Sequence, residues 1–349
     1  MNIQVSHESP LALSDEAILY NDYDYALVHL FEHENKSVAK NYFNFFANSV
    51  LDGRVVYLDN SIFELGESFD PEKYITWIKR LQPTYYIVPD VLEDSISTRQ
   101  SFDNWFRRVV PANGGEDGIV NSIPCIGVVQ GKDWNDLVSC YRFMAANADV
   151  IAISFDYKYY LSTGRSNPMD YIDGNHDVMY EKLRHDIELD LPENPMGCSF
   201  CRDKQHRYMT GRQRFVKQLI DEGIWEWGKP HHMLGCSLPQ EFGYYINNDV
   251  YNIRSIDTSN PVMAGLQGYR YRGLDGMPGK PAGLLANQVD MQTDGTFETL
   301  KKKVLYNTDM FKSIIGRETV FDHSNDGHRL SNYNISTPQE CGQCGDDTQ

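Results

Sequence analysis

Short apolar runs alternate with helix-like segments along most of the chain. The apolar runs are continuous and rich in β-branched residues, which is typical of parallel strands buried on both faces. The segments between them space their apolar residues as one face of a helix. The predicted strands are 26–31, 54–58, 85–88, 124–129, 149–155, 232–235 and 251–256, and the predicted helices are 37–50, 71–81, 95–110, 134–146, 211–222 and 239–247.

Seven strand–helix units in succession favour an α/β fold of the (β/α)₈ TIM-barrel type over an open sheet. We predict the eighth strand at 284–289 and the closing helix at 297–315. Residues 157–210 lack a clean period and are predicted to be an insertion after the fifth strand, and 316–349 a polar C-terminal tail. A barrel of about 250 residues uses most of this length, so we predict one domain over 1–349.

Composition narrows the class of protein. The chain has 349 residues, of which 41% are hydrophobic, and a net charge of −17. We find no run of the roughly 18 apolar residues that a membrane helix needs, and no signal-peptide pattern. The seven cysteines are an odd number spread over a long chain, unlike a secreted disulfide scaffold. We therefore expect a cytoplasmic protein with no membrane partner; its oligomeric state stays open.

One basic strip stands out against the acidic total. Residues 201–217 carry six basic side chains and one acidic one. A strongly acidic chain is not expected to bind polyanions without regard to sequence, but a local strip could still contact phosphates. The candidates for such contacts are Arg207, Arg212 and Arg214; the alternative is a solvated helix face.

Polar residues close most of the predicted strands. In a TIM barrel the chemistry lies at the carboxyl ends of the strands. The residues at these ends are Asp59, Asp90, Gln130, Asp156, Gly235 and Asp257. An Asp after a strand can also cap the next helix, but Ser, Thr or Asn would cap equally well. Several carboxylates at one mouth suit either a hard cation with oxygen ligands or chemistry at an anomeric carbon.

Five segments carry a resemblance to a known family. In order and spacing over about 55–265, they resemble motifs of the tRNA-guanine transglycosylases. The segments are 59–64 (Asp-Asn-Ser-Ile-Phe-Glu), 89–92 (Pro-Asp-Val-Leu), 127–131 (Gly-Val-Val-Gln-Gly), 229–241 (Lys-Pro-His-His-Met-Leu-Gly-Cys-Ser-Leu-Pro-Gln-Glu) and 255–261 (Ser-Ile-Asp-Thr-Ser-Asn-Pro). The shorter, diverged pattern is most similar to the DpdA-like transglycosylases of phages and bacterial modification islands. Those relatives exchange guanine in DNA for a 7-deazaguanine base.

The resemblance implies a set of roles. Asp257 would attack C1′ and form a covalent intermediate, and Asp59 would transfer the proton. Asp90 and Gln130 would bind the guanine edge, and Phe63 would stack on the base, unless it packs in the core. The incoming base would be of the 7-cyano-7-deazaguanine type, with no organic cofactor, in the cytoplasm of a host cell if a phage encodes the chain.

The sequence also departs from the family. Ser154, Phe155 and Asp156 fall where the family has Gly-Gly-Leu, beside Gly235 in the predicted substrate pocket. The segment after the predicted nucleophile, 262–266, lacks the family's arginine. Phosphate contacts would then come from Arg270 and Arg272, or from Lys280, although a solvated loop is an equal alternative.

Two CxxC pairs predict a metal site. The family's Cys-x-Cys-x-x-Cys zinc motif is absent, but Cys198, Cys201, Cys341 and Cys344 form two pairs at long separation. Such pairs can close a tetrahedral structural zinc site, which would join the insertion to the tail. His206 is an alternative ligand, and loop thiols or a redox dithiol are alternatives to zinc.

Alternatives to DNA-guanine exchange remain open. A tRNA-guanine transglycosylase fits the same motifs. A nucleoside deoxyribosyltransferase or glycosidase acting on free nucleosides would use the same carboxylates. A non-catalytic binding barrel is the third class, but a pure binding protein needs neither Asp59 nor Asp257.

The zinc prediction is tested by metal analysis. We expect about one zinc per chain in freshly purified protein, since four thiolates complete a structural site. The Cys198→Ser variant should lose it, and Cys140→Ser, which changes a predicted core cysteine, should keep it. Wild-type protein without zinc would contradict the prediction.

Overall fold

Eight parallel strands form the centre of the computed structural model, which describes residues 3–113, 118–164, 199–236, 238–271, 289, 291, 293–318 and 320–321. The strands are β1 Gln4–Ser6, β2 Asp24–Leu27, β3 Val56–Asp59, β4 Tyr85–Ile87, β5 Cys125–Val129, β6 Val150–Ser154, β7 His231–Leu234 and β8 Ile253–Asp257. Their order is β1-β8-β7-β6-β5-β4-β3-β2, with every pair parallel. The architecture is a nearly closed (β/α)₈ barrel, as predicted.

Helices surround the strands. The longer ones are Lys36–Leu51, Pro71–Leu81, Ser95–Asn104, Trp134–Asn147, Ser199–Asp221 and Phe297–Ile314. The shorter ones are Ser14–Tyr20, Ile62–Leu65, Val110–Ala112, Ile119–Ser122, Lys158–Thr163, Glu241–Asn247 and Asn260–Leu266, with 3₁₀ turns at Leu11–Leu13 and Val28–Glu32 and a π turn at Trp105–Val109. Among the described residues, no helix is long and apolar enough to cross a membrane.

The seven predicted strands are confirmed, but the eighth lies elsewhere. It is β1, which pairs in parallel with β8 so that Ser6 lies opposite Asp257. Three residues are too few to show a periodic pattern, so this strand cannot be predicted from the sequence. Of the predicted strand 284–289, only Val289 is described, and it lies in a turn. The first predicted strand is also shorter than expected, because Val28–Glu32 forms a 3₁₀ turn.

The seam between β1 and β2 is closed by side chains. Asp22 precedes β2, and its backbone N–H donates to the Val5 carbonyl over 2.9 Å. The Asp22 carboxylate accepts from the Val5 N–H over 2.8 Å and from both terminal nitrogens of Arg317. Arg317 also donates to the Ile3 carbonyl. A carboxylate and a guanidinium thus replace the missing strand ladder.

The predicted insertion begins as expected but ends earlier. Helix Ser199–Asp221 is continuous, so the predicted boundary at residue 210 is wrong. This helix packs closely on Lys158–Thr163 because Gly211 has no side chain: a Cβ there would lie 2.5 Å from that of Tyr160. Residues 165–198 and most of the predicted tail lie outside the described residues.

Candidate active site

One pocket opens at the carboxyl ends of the strands. It encloses about 870 Å³, a volume that includes space open to solvent. All nine residues predicted to be catalytic or substrate-binding line it: Asp59, Phe63, Asp90, Gln130, Ser154, Phe155, Asp156, Gly235 and Asp257. Glu8, Tyr25, Asn60 and Glu64 are further polar residues of its wall.

Helix capping does not account for the strand-end residues of β3 to β5. The first long helices after these strands, Pro71–Leu81, Ser95–Asn104 and Trp134–Asn147, are capped by Asp70, Asp94 and Asp133, whose carboxylates accept from backbone N–H groups of the first turn. Asp59, Asp90 and Gln130 precede these caps in sequence and face the pocket instead. Asp90 and Gln130 therefore cap no helix, whereas Asp59 accepts from the Ser61 N–H, directly before the short helix Ile62–Leu65.

Asp59 is held at the end of β3 by two donors. The Tyr25 hydroxyl donates to its Oδ2, and the Ser61 N–H donates to its Oδ1. The Ser61 backbone is left-handed, with φ at 60°, a conformation that costs energy for any residue except glycine. The Ser61 hydroxyl in turn accepts from the His29 N–H over 3.3 Å. The turn is thus arranged around the Asp59 carboxylate.

The pKa of Asp59 is raised well above its ordinary value. Desolvation in the pocket wall is the largest cause, and the nearby charges of Glu64 and Asp257 act in the same direction. The hydrogen bonds from Tyr25 and Ser61 lower the pKa but do not cancel these effects. A raised pKa makes a carboxyl group better suited to general acid catalysis.

Asp257, at the end of β8, has a different environment. The Gly235 N–H donates to its Oδ1 over 3.2 Å, and His232 Nε2 lies 3.1 Å from the same oxygen. His232 is buried, with its Nδ1 2.9 Å from the Ser255 hydroxyl. These contacts fix the carboxylate, which is 5% exposed, toward the pocket.

Tyr25 and His232 lie between the two carboxylates, and neither was predicted from the sequence to be a site residue. Their rings stack, with centroids 5.9 Å apart. His231 precedes His232 in β7 and therefore points to the opposite face of the strand, where its ring stacks on Trp225, 3.7 Å away. Both residues lie on strands next to those that end in Asp59 and Asp257, and this position in the sequence could have identified them as candidates.

Asp90 and Gln130 form one hydrogen-bonded unit. Asn60 Nδ2 donates to one Asp90 carboxylate oxygen over 2.8 Å, and Gln130 Nε2 donates to the other over 2.7 Å. Gln130 Oε1 accepts from the backbone N–H of Glu93 over 2.9 Å. The carboxylate retains lone pairs, and the Gln130 amide retains a second N–H, for a ligand.

Phe63 and Phe155 form the aromatic part of the wall. Phe63 is 49% exposed, so it does not pack in the core, and its ring centroid lies 6.1 Å from that of Phe155. Phe155 rests on Gly235, where a Cβ would come within 2.3 Å of the ring. The left-handed φ of Gly235, 64°, also favours glycine. Asp156 accepts from the Ser154 hydroxyl over 2.8 Å at the same rim.

The three arginines predicted to contact nucleic acid make contacts within the protein. Arg212 is completely buried in an ion pair with Glu241, so its prediction as a phosphate ligand is wrong. Arg207 and Arg214 are partly buried and donate to the carbonyls of Leu161 and Thr163 in the last turn of a helix. The side chains of Arg207 and Arg214 thus satisfy carbonyl oxygens of the neighbouring helix, Lys158–Thr163.

The remaining predicted ligands are only partly described. Arg270 lies over the Tyr306 ring at 3.9 Å, and Arg272 lies outside the described residues. Cys198, Cys341 and Cys344 are also outside them, and Cys201 is in the first turn of helix Ser199–Asp221. Within the described part of the chain, no group of three or more His, Cys, Asp or Glu residues could hold a metal ion.

Neither a known protein-family model nor a curated protein sequence matches this chain. The chemistry that the pocket can perform therefore depends on its own geometry. Six carboxylic acids line it, and its described lining contains no lysine or arginine. Two of these acids, Asp59 and Asp257, are connected through a tyrosine and a histidine but differ in their immediate partners.

Asp90 should make stability depend on pH. Burial raises its pKa from 3.8 to about 6, against the effect of Asn60 and Gln130. Below pH 3.8 the acid is protonated in both states; as pH rises toward 6 only the unfolded chain ionises freely, so the folded state loses stability. The loss is on the order of 3 kcal/mol.

Chemical denaturation at several pH values measures this effect. Asp90→Asn should reduce the decline in unfolding free energy between pH 3.8 and about 6, and Asp59, whose pKa burial also raises, accounts for the part that remains. Asp70→Asn, which replaces one good helix cap by another, should retain the decline. Identical pH profiles for wild type and Asp90→Asn would contradict the assignment.

Proposed function

We propose that this chain is a base-exchange glycosyltransferase that replaces guanine in DNA by a 7-deazaguanine of the 7-cyano type. The observation that supports it is the placement of Asp59 and Asp257 on one pocket wall, in contrasting environments. A carboxyl group with a raised pKa beside a carboxylate held by an N–H donor is the pairing required for proton transfer and attack at one glycosidic bond.

Asp257 is the proposed nucleophile. Its carboxylate attacks C1′ of the target nucleotide as the bond from C1′ to guanine N9 breaks, giving a glycosyl ester. The Gly235 N–H and His232 contact one oxygen and leave the other available for attack. The incoming base then attacks C1′ and releases Asp257, so two inversions retain the original configuration.

Asp59 is the proposed acid and base. Its raised pKa supplies a proton to the leaving guanine, and the resulting carboxylate accepts a proton from the incoming base. The buried Tyr25 hydroxyl, whose own pKa is raised by burial, stays protonated and donates to Asp59 throughout. The proton that Asp59 gives to guanine is thus restored to it by the incoming base.

The remaining lining residues suit a flat polar base. Asp90 can accept from a base N–H and amine, and Gln130 can donate to a carbonyl oxygen. The exposed ring of Phe63 offers a stacking surface. A base in duplex DNA would have to leave the stack to reach these groups, at a cost of a few kcal/mol.

A second candidate follows from the charge of the pocket. A nucleoside deoxyribosyltransferase acting on free nucleosides needs no phosphate contact, and the described lining includes neither lysine nor arginine. Release of labelled guanine from DNA, from tRNA and from free deoxyguanosine separates the candidates. We expect the DNA substrate to react fastest; a preference for the nucleoside would support the second candidate and reject the first.

The nucleophile is tested by substitution. Asp257→Asn should lower base exchange on the order of 10⁴-fold or more, because the amide does not attack C1′. It should also abolish the covalent DNA adduct that denaturing electrophoresis detects in wild type. Asp70→Asn should retain both. Full exchange activity in Asp257→Asn would reject the assignment.

The proton-transfer role predicts a pH dependence. Guanine release in a single turnover should fall as pH rises above the elevated pKa of Asp59, because the acid form donates the proton. Asp59→Asn should lower the rate by about 10²–10⁴-fold and lose this alkaline decline. An unchanged decline in the variant would assign it to another group.

A further inference from the structure

We propose that Arg212 and Glu241 form a buried positioning pair, which holds the carboxyl ends of β6 and β7 and thereby orients Asp257. Neither residue lines the pocket, and both are completely buried. Arg212 comes from helix Ser199–Asp221, and Glu241 is the first residue of helix Glu241–Asn247. The pair thus connects two helices outside the barrel to the strand ends that form the site.

All five N–H groups of the Arg212 guanidinium have acceptors. Nε and Nη2 donate to the two carboxylate oxygens of Glu241 over 2.6 and 2.9 Å. Nη1 donates to the carbonyls of Ile153 and Leu234, over 3.1 and 2.9 Å, and Nη2 to that of Gly235 over 3.0 Å. Since a guanidinium is planar and rigid, these contacts fix the two strand ends relative to each other.

Gly235 transmits this arrangement to the catalytic carboxylate. Its carbonyl accepts from Arg212, and its N–H donates to Asp257 over 3.2 Å. Gly235 is therefore held through both its carbonyl and its N–H. The Phe155 ring packs on Gly235, and Phe155 lies two positions after Ile153, whose carbonyl also accepts from Arg212. Displacing the guanidinium would release both Gly235 and the β6 end from these positions.

Glu241 is held as firmly as its partner. The Tyr245 hydroxyl donates to its carboxylate over 2.6 Å, and Gln213 Nε2 donates to its backbone carbonyl over 3.1 Å. Buried ion pairs of this kind are often replaced by apolar residues without loss of stability. Stability alone therefore does not require the pair, whereas the three carbonyl contacts need a planar donor at this place.

The test separates positioning from stability. The single variant Arg212→Met leaves Glu241 buried without its cation and should be strongly destabilised. The double variant Arg212→Met/Glu241→Leu leaves neither charge buried without a partner and should therefore melt at a higher temperature than the single variant. It should nevertheless turn over about 100-fold more slowly than wild type, the effect of a catalytic group misplaced by about 1 Å, with KM nearly unchanged.

A second readout does not depend on the proposed function, on which the rate prediction rests. In protein labelled with ¹⁵N-histidine, the ring resonances of His232 report its contact with Asp257, and Asp257→Asn defines the shift when the carboxylate is lost. The double variant should move toward that reference. Arg317→Met, which removes a hydrogen-bonded arginine at the β1–β2 seam, should not.

Arg212→Lys guards against misfolding of the double variant. It keeps the buried charge paired, but one ammonium has three donors and does not span both strand ends and Glu241. It should therefore show the same His232 shift. Wild-type His232 resonances in a folded Arg212→Lys or double variant would overturn the proposal. If the resonances shift in the variants but the wild-type protein shows no base exchange, the positioning role is supported and the proposed function is rejected.

Discussion

The convergence of all parallel strands at one rim is the constraint on which the site depends. Each strand of the barrel ends at the same mouth, so residues far apart in sequence, such as Asp59 and Asp257, line one pocket. The same closure places several carboxylates in a confined wall, where each one must be hydrogen-bonded or keep its proton. Asp90 accepts from two amides, while Asp59 accepts from a hydroxyl and a backbone N–H. The polar interior of the pocket is thus a consequence of barrel geometry together with the cost of burying charge.

The two central carboxylates, Asp59 and Asp257, are chemically identical and differ in their neighbours. Desolvation and the charge of Glu64 favour the protonated form of Asp59. Asp257 instead faces His232 and the Gly235 N–H. The rings of Tyr25 and His232 stack between the two environments, and the charge of Asp257 contributes to the raised pKa of Asp59. Two identical side chains are thereby suited to opposite tasks, proton donation and nucleophilic attack, within a single pocket.

The charge distribution limits how a nucleic acid could approach. The described pocket wall is acidic, and the arginines of the strip 201–217 that are described turn toward protein carbonyls and Glu241 rather than outward. These arginines therefore join helix Ser199–Asp221 to helix Lys158–Thr163 and to the ends of β6 and β7. A DNA substrate would need phosphate contacts from another part of the chain, whereas a nucleoside would need none. In either case the base would meet the same acidic and amide side chains of the pocket, and the two substrates differ only in the phosphate contacts that they need.

Local sequence determined the barrel class, seven of its strands and the nine predicted residues of the pocket. This was possible because a strand and the polar residue at its carboxyl end are adjacent in the sequence. It did not determine β1, whose three residues become a strand only by pairing with β8. It also left out Tyr25 and His232, whose importance comes from neighbours on other strands. The basic strip shows the same limit: the number of charges in a segment does not tell which side of a helix is buried, and only packing placed Arg212 beneath the site. Period and strand ends are local properties, whereas partners across the barrel exist only after the chain has closed.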